Sequence, residues 1–143
     1  MYPVVTIDEK SREVLLDFGN MDKNFRGAIR RGQIANGSSL KKHLRAGIKN
    51  PPKSGIKHRS LPNISSRAGE YPATQSGKLM NSVEYRTSGL NMKIGYIKKY
   101  GKFLELGTKN MDARPGLITT IRNNLFRLKY NFMRELNRGL GRK

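Results

Sequence analysis

The strongest constraint on the fold is a pair of long apolar rows with helical spacing, one near each end of the chain. The first row recurs every three, four or seven positions and comprises Ile7, Val14, Phe18, Met21, Phe25, Ala28 and Ile29. The second is a near-heptad row comprising Ile118, Ile121, Leu125, Leu128, Phe132, Leu136 and Leu140. Such spacing predicts two long amphipathic helices, which we expect to pack together or on one sheet. The alternative for the C-terminal helix is pairing with a neighbouring subunit, although packing in the core is the commoner outcome.

Start and stop signals subdivide the N-terminal half. Thr6 and Glu9 have the spacing of a capping box, so the first helix is expected to start there. Residues 36–38 (Asn-Gly-Ser) predict a helix stop and a new cap, and the two prolines at 51–52 end the short second helix that follows. The apolar face of that second helix is Leu40, Leu44 and Ile48.

The middle of the chain is rich in glycine, proline and serine. Residues 51–77 predict a long basic loop with one poor strand around Gly55–Ser60, and Ser76 can cap a helical turn over Lys78–Asn81. Alternating residues then predict an antiparallel hairpin at about 83–97, with Ser88-Gly89 as its turn. One side of the hairpin carries Leu90, Met92 and Ile94.

A short helix over Lys98–Leu106 with Gly107 as its stop follows the hairpin, and Arg114-Pro115 introduces the last helix. The 143 residues therefore predict one α+β domain, in which long N- and C-terminal helices pack on a small antiparallel sheet. Its parts are the N-terminal helices (1–50), the basic loop (51–77), the hairpin with the loop after it (78–117) and the C-terminal helix (115–140).

The charge is large and unevenly distributed. The formal net charge is +19, yet residues 1–22 contain five acidic and two basic residues, a net charge of −3. Residues 23–69 contain twelve Lys or Arg and no carboxylate, which suits binding to phosphate or to an acidic protein surface, although plain solvation stays open. The candidate contact residues are Lys41, Lys42, Arg45, Lys49, Lys53, Lys57, Arg59 and Arg67.

Several classes of protein are disfavoured. There is no cysteine, and His43 and His58 have no neighbouring acids, so we expect neither a metal site nor a cofactor. The acids after residue 22 are too scattered to nominate a catalytic pair, so we expect no enzyme. No apolar run approaches the length of a membrane span, and the first residues lack the features of a signal peptide, so we expect a soluble protein made in the cytoplasm.

Two segments, Ala68–Val83 and Tyr100–Leu117, place glycines, prolines and single charges between short apolar runs. In this order they resemble the neck and tail-completion (head-tail joining) family of long-tailed bacteriophages, with agreement over about residues 5–140. Gly101, Leu106 and Gly116 depart from the family pattern, where alanine and two aromatic residues are usual. The matching residues are Gly69, Pro72, Gly77, Leu79, Ser82, Tyr100, Leu104, Glu105, Gly107, Thr108, Ala113, Arg114 and Pro115.

The resemblance implies a structural virion protein at the head-tail junction. It implies a closed ring around the DNA channel, a hexamer or a dodecamer, between head-completion proteins on the portal side and a tail-terminator or tail-tube protein. Phage DNA would be contacted without sequence specificity. The acidic N-terminal helix and the basic middle segment would supply complementary patches, and Glu105 and Arg114 could form an ion pair, within one chain or across the ring interface.

The alternative is a nonspecific basic DNA- or RNA-binding protein. Its charge requirement is met, but the obvious aromatic residues for base stacking on the hairpin are only Tyr85 and Tyr96. Both fit packing within the hairpin better.

Overall fold

The structure is a computed structural model that describes the backbone of residues 9–52 and 54–141, with side chains described from Asp22 onwards. The elements are α1 (Glu9–Lys49), α2 (Lys78–Asn81), β1 (Val83–Ser88), β2 (Asn91–Tyr96), α3 (Tyr100–Leu106) and α4 (Gly116–Gly139). The α+β class with long terminal helices is confirmed. The expected cap at Thr6 lies outside the described residues.

Glu9–Lys49 form one continuous helix, so the predicted stop at residues 36–38 is wrong. The missing side chain of Gly37 makes room for the ring of Tyr85, which a Cβ at this position would overlap. The Asn36 side-chain amide donates to the Leu128 carbonyl at 3.0 Å. These tertiary contacts outweigh a local propensity penalty of about 1 kcal/mol for glycine. The helix ends before the prolines at 51–52, as predicted.

Helix α4 packs along α1, as expected of the two apolar rows. Gly32 lies against Phe132, where a Cβ on the glycine would come within 2.9 Å of the ring. Only part of the C-terminal row faces inward: Ile121, Leu128, Phe132 and Leu136 are partly buried, whereas Ile118, Leu125 and Leu140 are exposed. In the N-terminal row, Ala28 is buried, Ile29 is partly buried and Phe25 is exposed, and the remaining members lie outside the described side chains.

The hairpin pairs Val83 with Tyr96 and Ser88 with Asn91, and it lies against α1. The Gln33 side-chain amide of α1 donates to the Leu90 carbonyl, and Lys41 Nζ lies 2.9 Å from Glu84 Oε1. Gly89 adopts φ +56° in the turn. The turn is Gly89-Leu90 rather than the predicted Ser88-Gly89, because Ser88 pairs with Asn91 at the end of β1. Leu90 therefore lies outside the strand and is exposed, whereas Met92 and Ile94 are partly buried.

The core lies where the C-terminal half of α1 meets α2 and the start of β1. Its buried side chains are Leu44, Ile48, Leu79 and Val83, and Leu40 is buried one turn earlier on α1. Tyr71, Met80, Tyr96, Leu104 and Leu117 pack around this cluster. The face predicted for the second helix is thus correct, although that helix is the continuation of α1.

Residues 54–77 form a loop, and the strand predicted at Gly55–Ser60 is wrong. The loop closes on itself, because the Gly55 amide donates to the Ser65 carbonyl at 3.0 Å and the Ser65 amide to the Ile56 carbonyl at 3.2 Å. The turn over Lys78–Asn81 is helical as predicted, but its N-cap is Gly77 at φ +74°, with no side-chain cap from Ser76. Within the described part of the chain, no helix has the length and hydropathy needed to cross a membrane.

Candidate assembly surface

The two motif segments, which the hairpin separates in sequence, meet in the fold. The Gly69 amide donates to the Ala113 carbonyl at 2.9 Å, and Arg114 Nε donates to the Ser66 carbonyl at 2.9 Å. The Tyr71 hydroxyl lies 3.0 Å from Thr120 Oγ1 on α4. Both segments therefore belong to one surface between the loop, α3 and the start of α4.

Glu105 is the polar centre of this surface. Its Oε1 accepts from the Tyr96 hydroxyl at 2.9 Å and from the Leu117 amide at 2.5 Å, and its Oε2 lies 3.5 Å from the Ile118 amide. The first amides of a helix lack internal partners and favour a negative charge. Because the N-cap of α4 is Pro115, which offers no side-chain cap, the carboxylate of α3 caps α4 instead.

Arg114 does not pair with Glu105 within the chain, so the intramolecular form of the predicted ion pair is wrong. The Arg114 backbone amide donates to the Leu104 carbonyl at 2.6 Å, and its guanidinium reaches Ser66. Both charged groups hold backbone in place. Each joins elements of this one chain.

Burial and the neighbouring Glu105 charge and hydrogen bond raise the pKa of Tyr96 far above its ordinary value of 10.0. The folded protein therefore favours the neutral hydroxyl of Tyr96 more than the unfolded chain does. The resulting stability is fully present below the unfolded-state pKa and falls as the pH rises above about 10.

Tyr96→Phe is therefore expected to reduce the alkaline loss of stability while lowering the free energy of unfolding near pH 7 by about 1 kcal/mol, through loss of the hydrogen bond. Urea titrations of both proteins at about pH 8 and pH 11 measure this difference. Equal pH dependence in the two proteins would contradict the assignment.

Gly107 ends α3, as predicted, and Thr108 lies in the turn that follows. Gly107 adopts φ +74°, and a Cβ there would lie 2.9 Å from the Met111 carbonyl oxygen. The Thr108 amide donates to the Met111 carbonyl at 2.7 Å, and the Met111 amide donates back at 3.2 Å. These two hydrogen bonds turn the chain back towards α4 and position Ala113 and Pro115, which are both partly buried.

The matching residues of the first segment are structural. Leu79 lies in the core, and buried Ser82 donates its hydroxyl to the Leu79 carbonyl at 2.7 Å. Buried Pro72 lies against Gly116, where a Cβ would come within 3.1 Å of the proline ring. Gly69 adopts φ +80°, a conformation that favours glycine.

An open groove of about 530 Å³ lies between the two segments; we call it the motif groove. Tyr100 is exposed at its edge, whereas Leu104 is partly buried. The titratable or charged side chains that line the groove are His58, Lys78, Tyr100 and Arg114. The described lining contains no carboxylate. The groove is lined by His58, Leu61, Ser65, Ser66, Pro72, Ala73, Thr74, Gln75, Ser76, Gly77, Lys78, Leu79, Tyr100, Leu104, Asn110, Met111 and Arg114.

Glu70 fastens the loop beside the groove. It accepts from the Ser54 hydroxyl and from the Arg67 amide at 2.9 Å, and these bonds lower the pKa of its carboxyl. Since the folded-state pKa is depressed, this contribution to stability is lost as the pH falls through that value.

The predicted basic contact residues divide into two groups. Lys41 pairs with Glu84, Arg45 donates to Asn81 Oδ1 at 3.2 Å, and Lys57 donates to the Leu61 carbonyl at 2.9 Å. These three therefore make contacts within the chain. The other exposed positions are Lys42, Lys49, Arg59 and Arg67; Lys57 is exposed as well, and Lys53 lies outside the described residues.

Among the residues that the structure describes, no three His, Cys, Asp or Glu side chains lie close enough to form a metal site. The buried acid Glu135 is paired with Arg31 Nε at 3.4 Å and Arg134 Nη2 at 3.3 Å between the two long helices. Its position indicates a role in helix packing.

Sequence reasoning missed the glycine contacts and the Glu105 cap. Gly47 and Gly101 lie against the rings of Tyr71 and Tyr96, as Gly37 lies against Tyr85. The sequence did carry one indication of the Glu105 cap. The N-cap position of α4 has no Ser, Thr, Asp or Asn, so a side chain from elsewhere has to cap the helix.

Comparisons with models of known protein families, with curated proteins and with solved structures find no match.

Proposed function

We propose that this chain is a structural protein of the bacteriophage neck. It is a subunit of a ring that joins the DNA-filled head to the tail and surrounds the DNA channel. The observation that carries the proposal is that the two motif segments meet in one surface. Charged side chains of this surface form hydrogen bonds to backbone groups. Glu105 caps α4 and Arg114 binds the Ser66 carbonyl. The carboxylate and the guanidinium, which could take part in catalysis, therefore fix the backbone instead.

The charge distribution supports a ring. A closed ring of identical subunits needs two different complementary patches on each subunit. Residues 1–22 have a net charge of −3, whereas the whole chain has a net charge of +19. The chain therefore carries an acidic segment and a basic remainder, which are complementary in charge. A hexamer matches a tail with sixfold symmetry, and a dodecamer is the other ring considered.

The DNA would be held by phosphate contacts alone. Lys42 and Lys49 are exposed and lie seven residues apart on α1, so both share one face of the helix and are available for phosphate contacts. Head-completion proteins and the tail-terminator or tail-tube protein would contact the two rims of the ring. The chain would act in the virion and would not be an enzyme.

The nonspecific nucleic-acid-binding alternative loses the two hairpin tyrosines that the sequence offered for base stacking. Tyr85 packs on Gly37 of α1, and Tyr96 packs on the core with its hydroxyl bonded to Glu105. Base stacking on an exposed aromatic platform supplies much of the affinity for single strands. Neither ring offers that platform.

Removal of the protein from its phage tests the proposal. A nonsense mutation in the gene is expected to leave filled heads and complete tails that do not join, counted by electron microscopy of the lysate, with joining restored by the wild-type gene in trans. Normal virions from the mutant, or absence of the protein from purified virions, would overturn the assignment.

A further inference from the structure

Helix α4 carries large apolar side chains on two faces. Its inner face packs on α1, whereas Leu125, Phe126, Tyr130 and Met133 on the outer side are 58%, 85%, 59% and 44% exposed. We call these four residues the outer α4 patch. A surface helix ordinarily carries one apolar stripe, and a second one with such large side chains marks an interaction surface.

The surroundings of the patch are basic. Glu135, the single acid of α4, is buried between the long helices and paired with Arg31 and Arg134. The basic residues of the helix are Arg122, Arg127, Lys129, Arg134 and Arg138. Two copies that met patch to patch would therefore bring like charges together, which opposes a symmetric α4–α4 contact.

The same chain carries an acidic helix that extends beyond α4. Gly139, the last residue of α4, lies beside Ala28 of α1, where a Cβ on the glycine would come within 2.5 Å of the alanine Cβ. The turns from Glu9 to Asp22 therefore run past the end of α4, for about 20 Å at 1.5 Å per residue. Residues 9–22 contain four acidic and two basic residues. We call these turns the α1 extension.

We propose that the α1 extension of one copy packs on the outer α4 patch of the next copy. The inference rests on the proposed ring and names its subunit contact. Apolar surface is removed from water, and the acidic helix meets a basic rim, so both the hydrophobic and the electrostatic contributions favour this pairing. Because the two surfaces differ, the contact is heterologous and repeats around a ring.

Two variants with opposite defects test the contact. The patch variant is Leu125→Glu with Phe126→Glu, and the extension variant is Glu13→Lys with Asp17→Lys. Each alone is expected to weaken self-association roughly 30-fold or more and to elute near the 16.2 kDa monomer mass in light scattering. Ile56→Glu, on a loop side chain that is 72% exposed, is the control and should assemble like the wild type.

Mixing the two variants gives the sharper result. The patch variant keeps an intact extension and the extension variant an intact patch, so one productive contact remains. The mixture is expected to form a 1:1 dimer of twice the 16.2 kDa monomer mass. Circular dichroism of each variant confirms that it is folded before mixing.

The outcomes separate this contact from the ring itself. If either variant assembles like the wild type, or the mixture stays monomeric while the wild type forms rings, the contact is wrong and the ring stands. A 1:1 dimer from the mixture together with open filaments from the wild type would support the contact and overturn the closed ring. A wild-type protein that is monomeric throughout would overturn both.

Discussion

Gly37→Ala is expected to lower the free energy of unfolding by about 2 kcal/mol, although alanine is the better helix former. The added methyl group would overlap the ring of Tyr85, which holds the hairpin on α1. The gain of about 1 kcal/mol from helix propensity does not offset that overlap. Urea denaturation followed by circular dichroism measures the change.

Gly27→Ala is the matched control on the same helix. A Cβ at Gly27 would meet only the Arg31 guanidinium, at 3.4 Å, and that flexible group can move. This substitution should raise the free energy of unfolding by about 0.5–1 kcal/mol. If Gly37→Ala stabilises the protein as much as Gly27→Ala does, the packing of the hairpin on α1 is wrong.

Glu105→Ala is expected to lower the free energy of unfolding by about 3 kcal/mol. The substitution removes the cap of α4, which is worth about 1 kcal/mol, and leaves the Tyr96 hydroxyl without its acceptor, which adds about 1–3 kcal/mol. Thermal and urea unfolding of both proteins measure the loss.

Glu105→Gln separates the cap from an ion pair between subunits. The amide oxygen can still accept a hydrogen bond, so a loss of only about 1 kcal/mol is expected, chiefly from the favourable charge at the helix end. Since Glu105 acts within one subunit, the Gln variant should still assemble. Loss of assembly by a fully folded Gln variant would instead restore the pairing of Glu105 with Arg114 of a neighbouring copy.

Local patterns predicted most of the elements. The hairpin, the helix ending at Gly107 and the last helix after Pro115 follow from alternation, helical spacing and turn residues, which act over short stretches. The continuity of α1 could not be predicted in this way. Its apparent stop at residues 36–38 is explained by contacts with Tyr85 and Leu128, which are distant in sequence.

The contacts of the motif residues could not be predicted from the sequence. The two motif segments contact each other in the fold, but the partners of Glu105 and Arg114 depend on how the loop, α3 and α4 come together. The outer α4 patch was hidden for a similar reason. Leu125 belongs to the predicted row, but only the position of α1 decides which of the apolar residues on α4 are covered.

The mass and shape of the purified wild-type protein test the central claim most directly. Light scattering should give six or twelve times the 16.2 kDa subunit mass, and negative-stain images should show closed rings with a central channel. A protein that remains a 16.2 kDa monomer at every concentration tested, with no rings on the grid, would contradict the account.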